Sequence, residues 1–277
     1  MGAIPFIKMH GLGNDFVVLD AREKPLAIGA AEAHAIGDRH RGVGFDQLLI
    51  LEPPHTSGAD LFMRILNPDG SEAQACGNGT RCVAWLAMRE KHAQGLVVET
   101  VAGLLPAEAT ADGQVSVDMG PARLDWRQIP LARECDTLHV PLELGPLRDP
   151  VATNMGNPHV TFFVPDAEAV DLASLGPRLE RDPIFPERAN IGVVHLMGEN
   201  RLRFRVWERG TGITIACGSG ACAATVAAAR RGITGRKVAV VADGGTLAIE
   251  WRRDGHVLMA GPVAVSFSGT LDPSLLT

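Results

Sequence analysis

Residues 75–88 read ACGNGTRCVAWLAM, and residues 216–229 read ACGSGACAATVAAA. The two stretches align without a gap, 141 positions apart. In each copy a Cys-Gly-x-Gly turn leads into a run of good helix formers, so we expect Cys76 and Cys217 to lie at helix N-termini. Unpaired backbone N–H groups and the helix dipole favour an anion there, which predicts a thiol pKa below the free value of about 8.5. The duplication therefore indicates two reactive thiols that act on one substrate from opposite sides.

The repeat extends well beyond the cysteines. Strand-like segments precede each copy at 61–66 and 202–207, and follow it at 96–100 and 237–242. Residues typical of turns recur at matching places in the two halves. Residues 67–70 of the first half match 208–210 of the second, and 112–113 match 254–255. Each half ends in a Gly-Pro pair, at 120–121 and at 261–262. Upstream the offset becomes 143, which pairs Asn14 with Asn157 and Gln47 with Asn190. Polar amides thus recur at equivalent points of both halves.

These patterns predict an α+β protein of two pseudo-symmetric homologous domains. We expect the first domain at 1–121 and the second at 122–262, the latter including a Pro-rich linker at 122–143 that contains Pro130 and Pro141. The cleft between two such domains is a preferred place for a small-molecule site.

Bulk properties exclude several classes of protein. The 277-residue chain is 46% hydrophobic and 21% charged, and its net charge of -6 argues against a nucleic-acid partner. No apolar run approaches the roughly 20 residues of a membrane span, and the start MGAIPFIK lacks a signal-peptide pattern. Five cysteines is an odd number, which favours reduced thiols over a disulfide framework. We therefore expect a cytoplasmic protein without membrane association.

Five motifs resemble the diaminopimelate epimerase family, and the resemblance spans nearly the whole chain. They are KMHGLGNDF (8–16), GVGFDQLL (42–49), NPDGSEAQACGNGTRC (67–82), GNPH (156–159) and WERGTGITIACGSGACAA (207–224). The resemblance implies that each domain is a β-barrel-like sheet around a helix, with the tail 263–277 returning to the first domain. It further implies a homodimeric, cofactor-free and metal-free epimerase that interconverts LL- and meso-2,6-diaminopimelate in lysine and peptidoglycan precursor biosynthesis. Ile213 departs from the family pattern, where many relatives carry glutamate.

The resemblance also suggests the site residues. Inversion of an α-carbon needs a base on one face and an acid on the other, which suits the thiolate and thiol of Cys76 and Cys217. Without an electron-sink cofactor, preorganised N–H groups must hold the developing carbanion. His159 and Glu208 are expected to tune the protonation of the thiols, and Glu208 also to contact the substrate. The donors expected for the α-carboxylate are the N–H groups of Gly77, Asn78, Gly218 and Ser219. The further substrate contacts are Asn14, Gln47, Asn67, Asn157, Asn190 and Arg209.

Two other functions fit parts of the pattern. A proline or hydroxyproline racemase also uses two cysteines, but those relatives carry Cys-Gly-His where Asn78 stands here. A non-enzymatic thiol redox switch or ligand-binding module needs only the cysteine pair. The remaining cysteines, Cys82, Cys135 and Cys222, are interpreted as small hydrophobic side chains, and their spacing to Cys76 and Cys217 is not that of common zinc sites.

Overall fold

The computed structural model describes residues 4–276, which divide into two compact units. The first unit contains the described residues up to Val117 and those from Gly261 onward, and the second contains Asp118–Ala260. The predicted first domain and its tail also include residues 1–3 and 277, which lie outside the described residues.

The first unit consists of strands and two helices. In chain order these elements are β1 (Ile4–Gly11), β2 (Asn14–Asp20), α1 (Ala30–Gly37), β3 (Gln47–Glu52), β4 (Leu61–Leu66), β5 (Glu72–Ala73), α2 (Gly77–Lys91), β6 (Gly95–Thr100), β7 (Gly103–Ala109) and β8 (Val115–Pro121), the last of which contains the boundary between the units.

The second unit repeats this order of elements. It contains β9 (Glu143–Leu144), β10 (Leu147–Arg148), β11 (Val151–Asn154), β12 (Pro158–Phe163), α3 (Leu172–Glu180), β13 (Asn190–Gly198), β14 (Arg201–Glu208), β15 (Gly212–Thr214), α4 (Gly218–Arg230), β16 (Lys237–Ala242), β17 (Gly245–Trp251) and β18 (His256–Gly261). The chain then returns to the first unit through β19 (Ala264–Leu271), which pairs antiparallel with β1, and ends in a 3-10 turn (Pro273–Leu276).

Strand pairing is the same in both units. Each begins with an antiparallel pair, β1–β2 or β11–β12, followed by a parallel pair, β2–β3 or β12–β13. The antiparallel pairs β3–β4 and β13–β14 follow, and then the parallel pairs β4–β6 and β14–β16. The predicted α+β class and the internal duplication are therefore confirmed.

Helices α2 and α4 are the central helices of their units. Helix α2 contacts β1, β2, β6 and β7, and α4 contacts β11, β12, β13, β14, β16 and β17. The sequence of α4, GSGACAATVAAAR, is small and apolar on all sides, so strands can pack around it at close distance, and ten of its residues are buried. Among the described residues no helix is long and apolar enough to cross a membrane.

Two features differ from the sequence-based expectation. The segment 122–143 is not a loose linker, because its apolar side chains Ile129, Leu131, Val140 and Leu142 are buried in the core of the second unit. The sequence analysis also missed α1 and α3. Both are short helices of 8 and 9 residues, and neither follows a duplicated Cys-Gly-x-Gly turn of the kind that precedes α2 and α4.

Candidate active site

Both repeated cysteines cap a central helix, as predicted. Cys76 (φ -147°, ψ 104°) is the N-cap of α2, and Cys217 (φ -122°, ψ 105°) is the N-cap of α4. The extended conformation of an N-cap residue directs the first backbone N–H groups of the helix away from the helix body. Gly77 and Gly218 are therefore the first helical residues, with Asn78 and Ser219 second, and all four predicted N–H donors belong to the first turn of a helix.

In the first unit, Asn14 connects the cysteine to the helix start. Its Oδ1 atom lies 3.9 Å from Cys76 Sγ and accepts a hydrogen bond from Asn78 Nδ2 at 3.2 Å. Its Nδ2 atom donates to Asp46 Oδ2 at 2.9 Å, which fixes the orientation of the amide. Gly79 N donates to Cys76 Sγ at 3.3 Å, the capping bond of α2. This geometry holds the sulfur in one position from both sides.

Gln47 and Asn67 form a second polar pair of the first unit. Gln47, the first residue of β3, donates through Nε2 to Asn67 Oδ1 at 3.1 Å. Asn67 follows β4 and opens a turn in which Gly70 N donates to its carbonyl, with Gly70 at a φ of +81° that favours glycine. Asn67 Nδ2 donates to Ser71 Oγ at 3.0 Å. Both amides are thus held by the first unit itself.

In the second unit, a row of polar side chains leads to Cys217. His159 Nε2 lies 2.8 Å from Asn157 Oδ1 and 3.0 Å from Ser219 Oγ. Since the amide oxygen can only accept, Nε2 carries the ring proton. Ser219 Oγ lies 3.6 Å from Cys217 Sγ. The single Nε2 proton is shared between Asn157 Oδ1 and Ser219 Oγ, and the serine hydroxyl lies between the histidine and the sulfur.

Burial controls the protonation of this row. Burial lowers the pKa of His159 to about 3, with a smaller contribution from the positive charge of Arg209, so the imidazole is neutral near pH 7. Burial also raises the pKa of Cys217 well above its ordinary value, and the Glu208 carboxylate raises it further. The predicted lowering of the thiol pKa is therefore wrong for Cys217, because desolvation of a buried thiolate and a neighbouring negative charge outweigh the donors at the helix start.

Arg209 is held at both its backbone and its side chain. Its N–H donates to Asn190 Oδ1 at 2.8 Å, while Asn190 Nδ2 donates to the Pro158 carbonyl at 3.0 Å. The guanidinium donates to the carbonyl of Glu187 at 2.8 Å. Asn190 thus supports the backbone of the Arg209 turn as well as being a candidate substrate contact.

The other cysteines lie outside these clusters. Cys82 is fully buried inside α2, and burial raises its pKa to about 12. Cys222 is buried within α4, and Cys135 packs against the core of the second unit. All three positions agree with a packing role.

Three contacts to predicted site residues were not predicted from the sequence. Asp46 orients Asn14, the hydroxyl of Ser219 faces Cys217, and Thr214 donates to the Glu208 carboxylate. Asp46 and Thr214 stand inside motifs that had been singled out, so their proximity to predicted site residues was an available signal. The adjacent Ile213 is exposed.

The chain matches known proteins over almost its whole length. The sequence model of the family described as "Diaminopimelate epimerase" matches residues 6–124 and 151–265. Curated relatives described as diaminopimelate epimerase include one from Rhodospirillum centenum, 62% identical over 98% of this chain and 93% of the relative. Another, from Acidiphilium cryptum, is 56% identical over 99% of this chain and 98% of the relative.

Solved structures share the fold at low identity. A hydroxyproline epimerase from Agrobacterium vitis has a TM-score of 0.67 at 17% identity, covering 98% of this chain and 94% of its own. A phenazine biosynthesis protein of the PhzF family from Bacillus anthracis has a TM-score of 0.66 at 19% identity, covering 98% of this chain and 99% of its own. These likenesses concern the fold alone.

Proposed function

Since the chain belongs to the diaminopimelate epimerase family and is an isomerase of diaminopimelate, we propose that it inverts the substrate α-carbon with two thiols, Cys76 and Cys217. The observation that carries this proposal is the duplication: each cysteine is the N-cap of the central helix of one repeated unit. One thiolate removes the α-proton from one face, and the other thiol delivers a proton to the opposite face. The roles exchange with the configuration of the substrate.

The surroundings of Cys217 support a proposal for its resting protonation state. The raised pKa of Cys217 favours its thiol form, so Cys217 is proposed as the resting acid. The neutral His159 shares its Nε2 proton between Asn157 and Ser219, and the hydroxyl of Ser219 faces Cys217 Sγ. When Cys217 gives up its proton, the Ser219 hydroxyl is in place to donate to the thiolate that forms.

The helix starts supply the electrostatic part of the mechanism. As the α-proton leaves, negative charge moves onto the α-carboxylate, which becomes enediolate-like. Backbone N–H groups of Gly77, Asn78, Gly218 and Ser219 are preorganised donors at positive helix ends and cost no reorganisation when that charge appears. This accounts for an epimerase that uses neither pyridoxal phosphate nor a metal ion.

Selectivity is assigned to the non-reacting end of the substrate. The Arg209 guanidinium can grip a second carboxylate with two parallel hydrogen bonds, and Asn67, Asn157 and Asn190 contribute amide partners. A shorter amino acid such as proline lacks the second carboxylate and would leave these groups without the substrate partner that they are proposed to bind, which is a source of discrimination.

An assay of the purified protein tests this function. After treatment with chelator and without added pyridoxal phosphate, it should convert LL-diaminopimelate to the meso isomer, as followed by chiral chromatography, and leave L-proline unchanged. Racemisation of proline would favour the sister racemases. Turnover of neither substrate would favour a thiol switch or binding module.

Assembly and location complete the proposal. A homodimer is supported by two exposed apolar side chains on β19, Val265 and Phe267, the latter 51% exposed. Light scattering of the purified protein tests it.

A cytoplasmic location is supported by the chemistry, because a thiolate base is lost on oxidation. There the reaction supplies meso-diaminopimelate for lysine and peptidoglycan precursor biosynthesis.

A further inference from the structure

Glu180 is a buried carboxylate in an electrostatically unfavourable place. It is the last residue of α3, where the helix dipole disfavours a negative charge, and it is only 3% exposed. Burial of a carboxylate is costly unless hydrogen bonds replace its lost water. The contacts that offset these two costs therefore indicate what the residue does.

Both carboxylate oxygens of Glu180 bind the strand and turn that carry two proposed site residues. Oε2 accepts from Trp207 Nε1 at 2.7 Å, and Oε1 accepts from Gly210 N at 3.1 Å. Arg188 lies 3.6 Å from Oε1 and supplies a positive charge. Trp207 and Gly210 flank Glu208 and Arg209 in the chain, so Glu180 ties down the turn on either side of them.

Helix α3 holds the same tryptophan through a second residue. A Cβ atom at Gly176 would lie 2.6 Å from the ring of Trp207, so glycine is what allows the indole to pack directly on the helix backbone. Gly176 and Glu180 are four residues apart and face the same side of the helix. Packing and hydrogen bonding from one helix face thus converge on Trp207.

The segment that follows α3 completes the support. The carbonyl of Glu187 accepts from the Arg209 guanidinium, and the backbone N–H of Ala189 donates to the Glu180 carbonyl at 3.2 Å. The direction of the Arg209 side chain and the position of its backbone are therefore both set from the C-terminal end of α3. Glu180, Glu187 and Ala189 do not belong to the predicted site.

We propose that Glu180 is a positioning residue that presents Arg209 to the second carboxylate of the substrate, and so contributes to the selection of a dicarboxylic amino acid. The inference rests on the proposed function, in which Arg209 binds the non-reacting end. Glu180 does not itself touch substrate. It fixes the turn so that the guanidinium is already oriented when the substrate arrives.

Glu180→Gln is the direct test, measured with diaminopimelate as substrate. A glutamine of the same shape can accept from only one of the two N–H donors, and its amide N–H₂ opposes the other. We expect KM to rise about tenfold with kcat lowered less than about threefold, the pattern of lost binding rather than lost chemistry. Glu199→Gln, an exposed glutamate in the β13–β14 turn, is the matched control and should leave both constants unchanged.

A double-mutant cycle separates positioning from general stabilisation. In an Arg209→Lys background, where the bidentate fork is already lost, Glu180→Gln should raise KM less than about twofold further, because the two residues act through one contact. Effects of the two substitutions that multiply would overturn the proposal. So would a Glu180→Gln enzyme with a lowered Tm and an unchanged KM.

Trp207→Phe provides a second variant if Glu180→Gln does not fold. It keeps a ring on Gly176 and removes one donor to the carboxylate, so KM should rise about fivefold; an unchanged KM would overturn the proposal. The wild-type assay distinguishes a failure of the proposed function from a failure of this inference. A wild-type protein inactive on diaminopimelate contradicts the proposed function, whereas an active wild type with an indifferent Glu180 contradicts only this inference.

Discussion

Gly220, the third residue of α4, has no room for a side chain. A Cβ atom there would lie 2.7 Å from the ring of Phe204 and 3.2 Å from Cys217 Sγ. Phe204 is fully buried and cannot move aside. Gly220→Ala should therefore displace the sulfur or strain the core, and both effects can be measured.

The free energy of unfolding follows from two opposing effects. Overpacking a filled core costs about 1–3 kcal/mol, while alanine in place of glycine favours a helix by about 1 kcal/mol. We expect Gly220→Ala to lose about 0–2 kcal/mol of stability, or up to a few degrees in Tm for a chain of this size. Since Sγ must shift by several tenths of an ångström, kcat/KM should fall about ten- to a hundredfold.

Gly79 is the equivalent position in α2 and serves as the matched control. The nearest neighbours of a Cβ atom there are the methyl ends of Leu49, at 3.1 and 3.3 Å, and then Cys76 Cβ at an ordinary 3.5 Å. Gly79→Ala should keep Tm within about a degree and kcat/KM within about threefold. Thermal unfolding and initial rates on LL-diaminopimelate measure both variants. Equal behaviour of the two variants would refute the reasoning that the Gly220 site is the tighter one.

Three further predictions concern the site. Cys76→Ala and Cys217→Ala should each abolish steady-state epimerisation, whereas Cys82→Ala should retain most of it; an active Cys217→Ala enzyme in a chiral assay would contradict the two-base proposal. Folding lowers the pKa of His159 from 6.5 to about 3, so the unfolded chain binds more protons, and stability should decrease as pH falls from about 6.5 towards 3. Denaturant unfolding of wild type should therefore show a pH slope steeper than that of His159→Asn by about 1.4 kcal/mol per pH unit, and equal slopes would count against a buried neutral histidine. Arg209→Met should raise KM for diaminopimelate at least about a hundredfold, as measured by initial rates, because a desolvated carboxylate loses its partner; an unchanged KM would remove Arg209 from the site.

The sequence identified the central elements because they were repeated. The bounds predicted for β4 and β16 are those observed, and both helix starts fall where the duplicated Cys-Gly-x-Gly turns placed them. Repetition at fixed offsets identified these elements more reliably than the propensities of single residues do, because a chance pattern would not recur in the same order. The amides Asn14 and Asn157 likewise lie just where an apolar strand begins, as their shared offset indicated.

What the sequence missed depends on burial and on contacts between distant residues. The helix dipole predicts an acidic thiol at position 217, but the desolvation that reverses this shift exists only once Phe204 and the strands of the second unit surround α4. Glu180 was missed for a similar reason. Glu180 is 27 residues from Trp207 in the sequence and stands in none of the motifs quoted above. Only the packing of α3 brings the two side chains together.

The fate of the transferred hydrogen is the most direct test of whether two separate thiols act as independent acid and base. The reaction is run in deuterated water with protiated LL-diaminopimelate and stopped at low conversion, and mass spectrometry measures deuterium at the α-carbon of product and residual substrate. The delivering thiol exchanges with solvent before the substrate arrives, so the first product molecules should carry deuterium while the remaining substrate stays protiated. Early product that retains the original hydrogen would contradict the assignment, because only a single base that returns the abstracted proton gives that result.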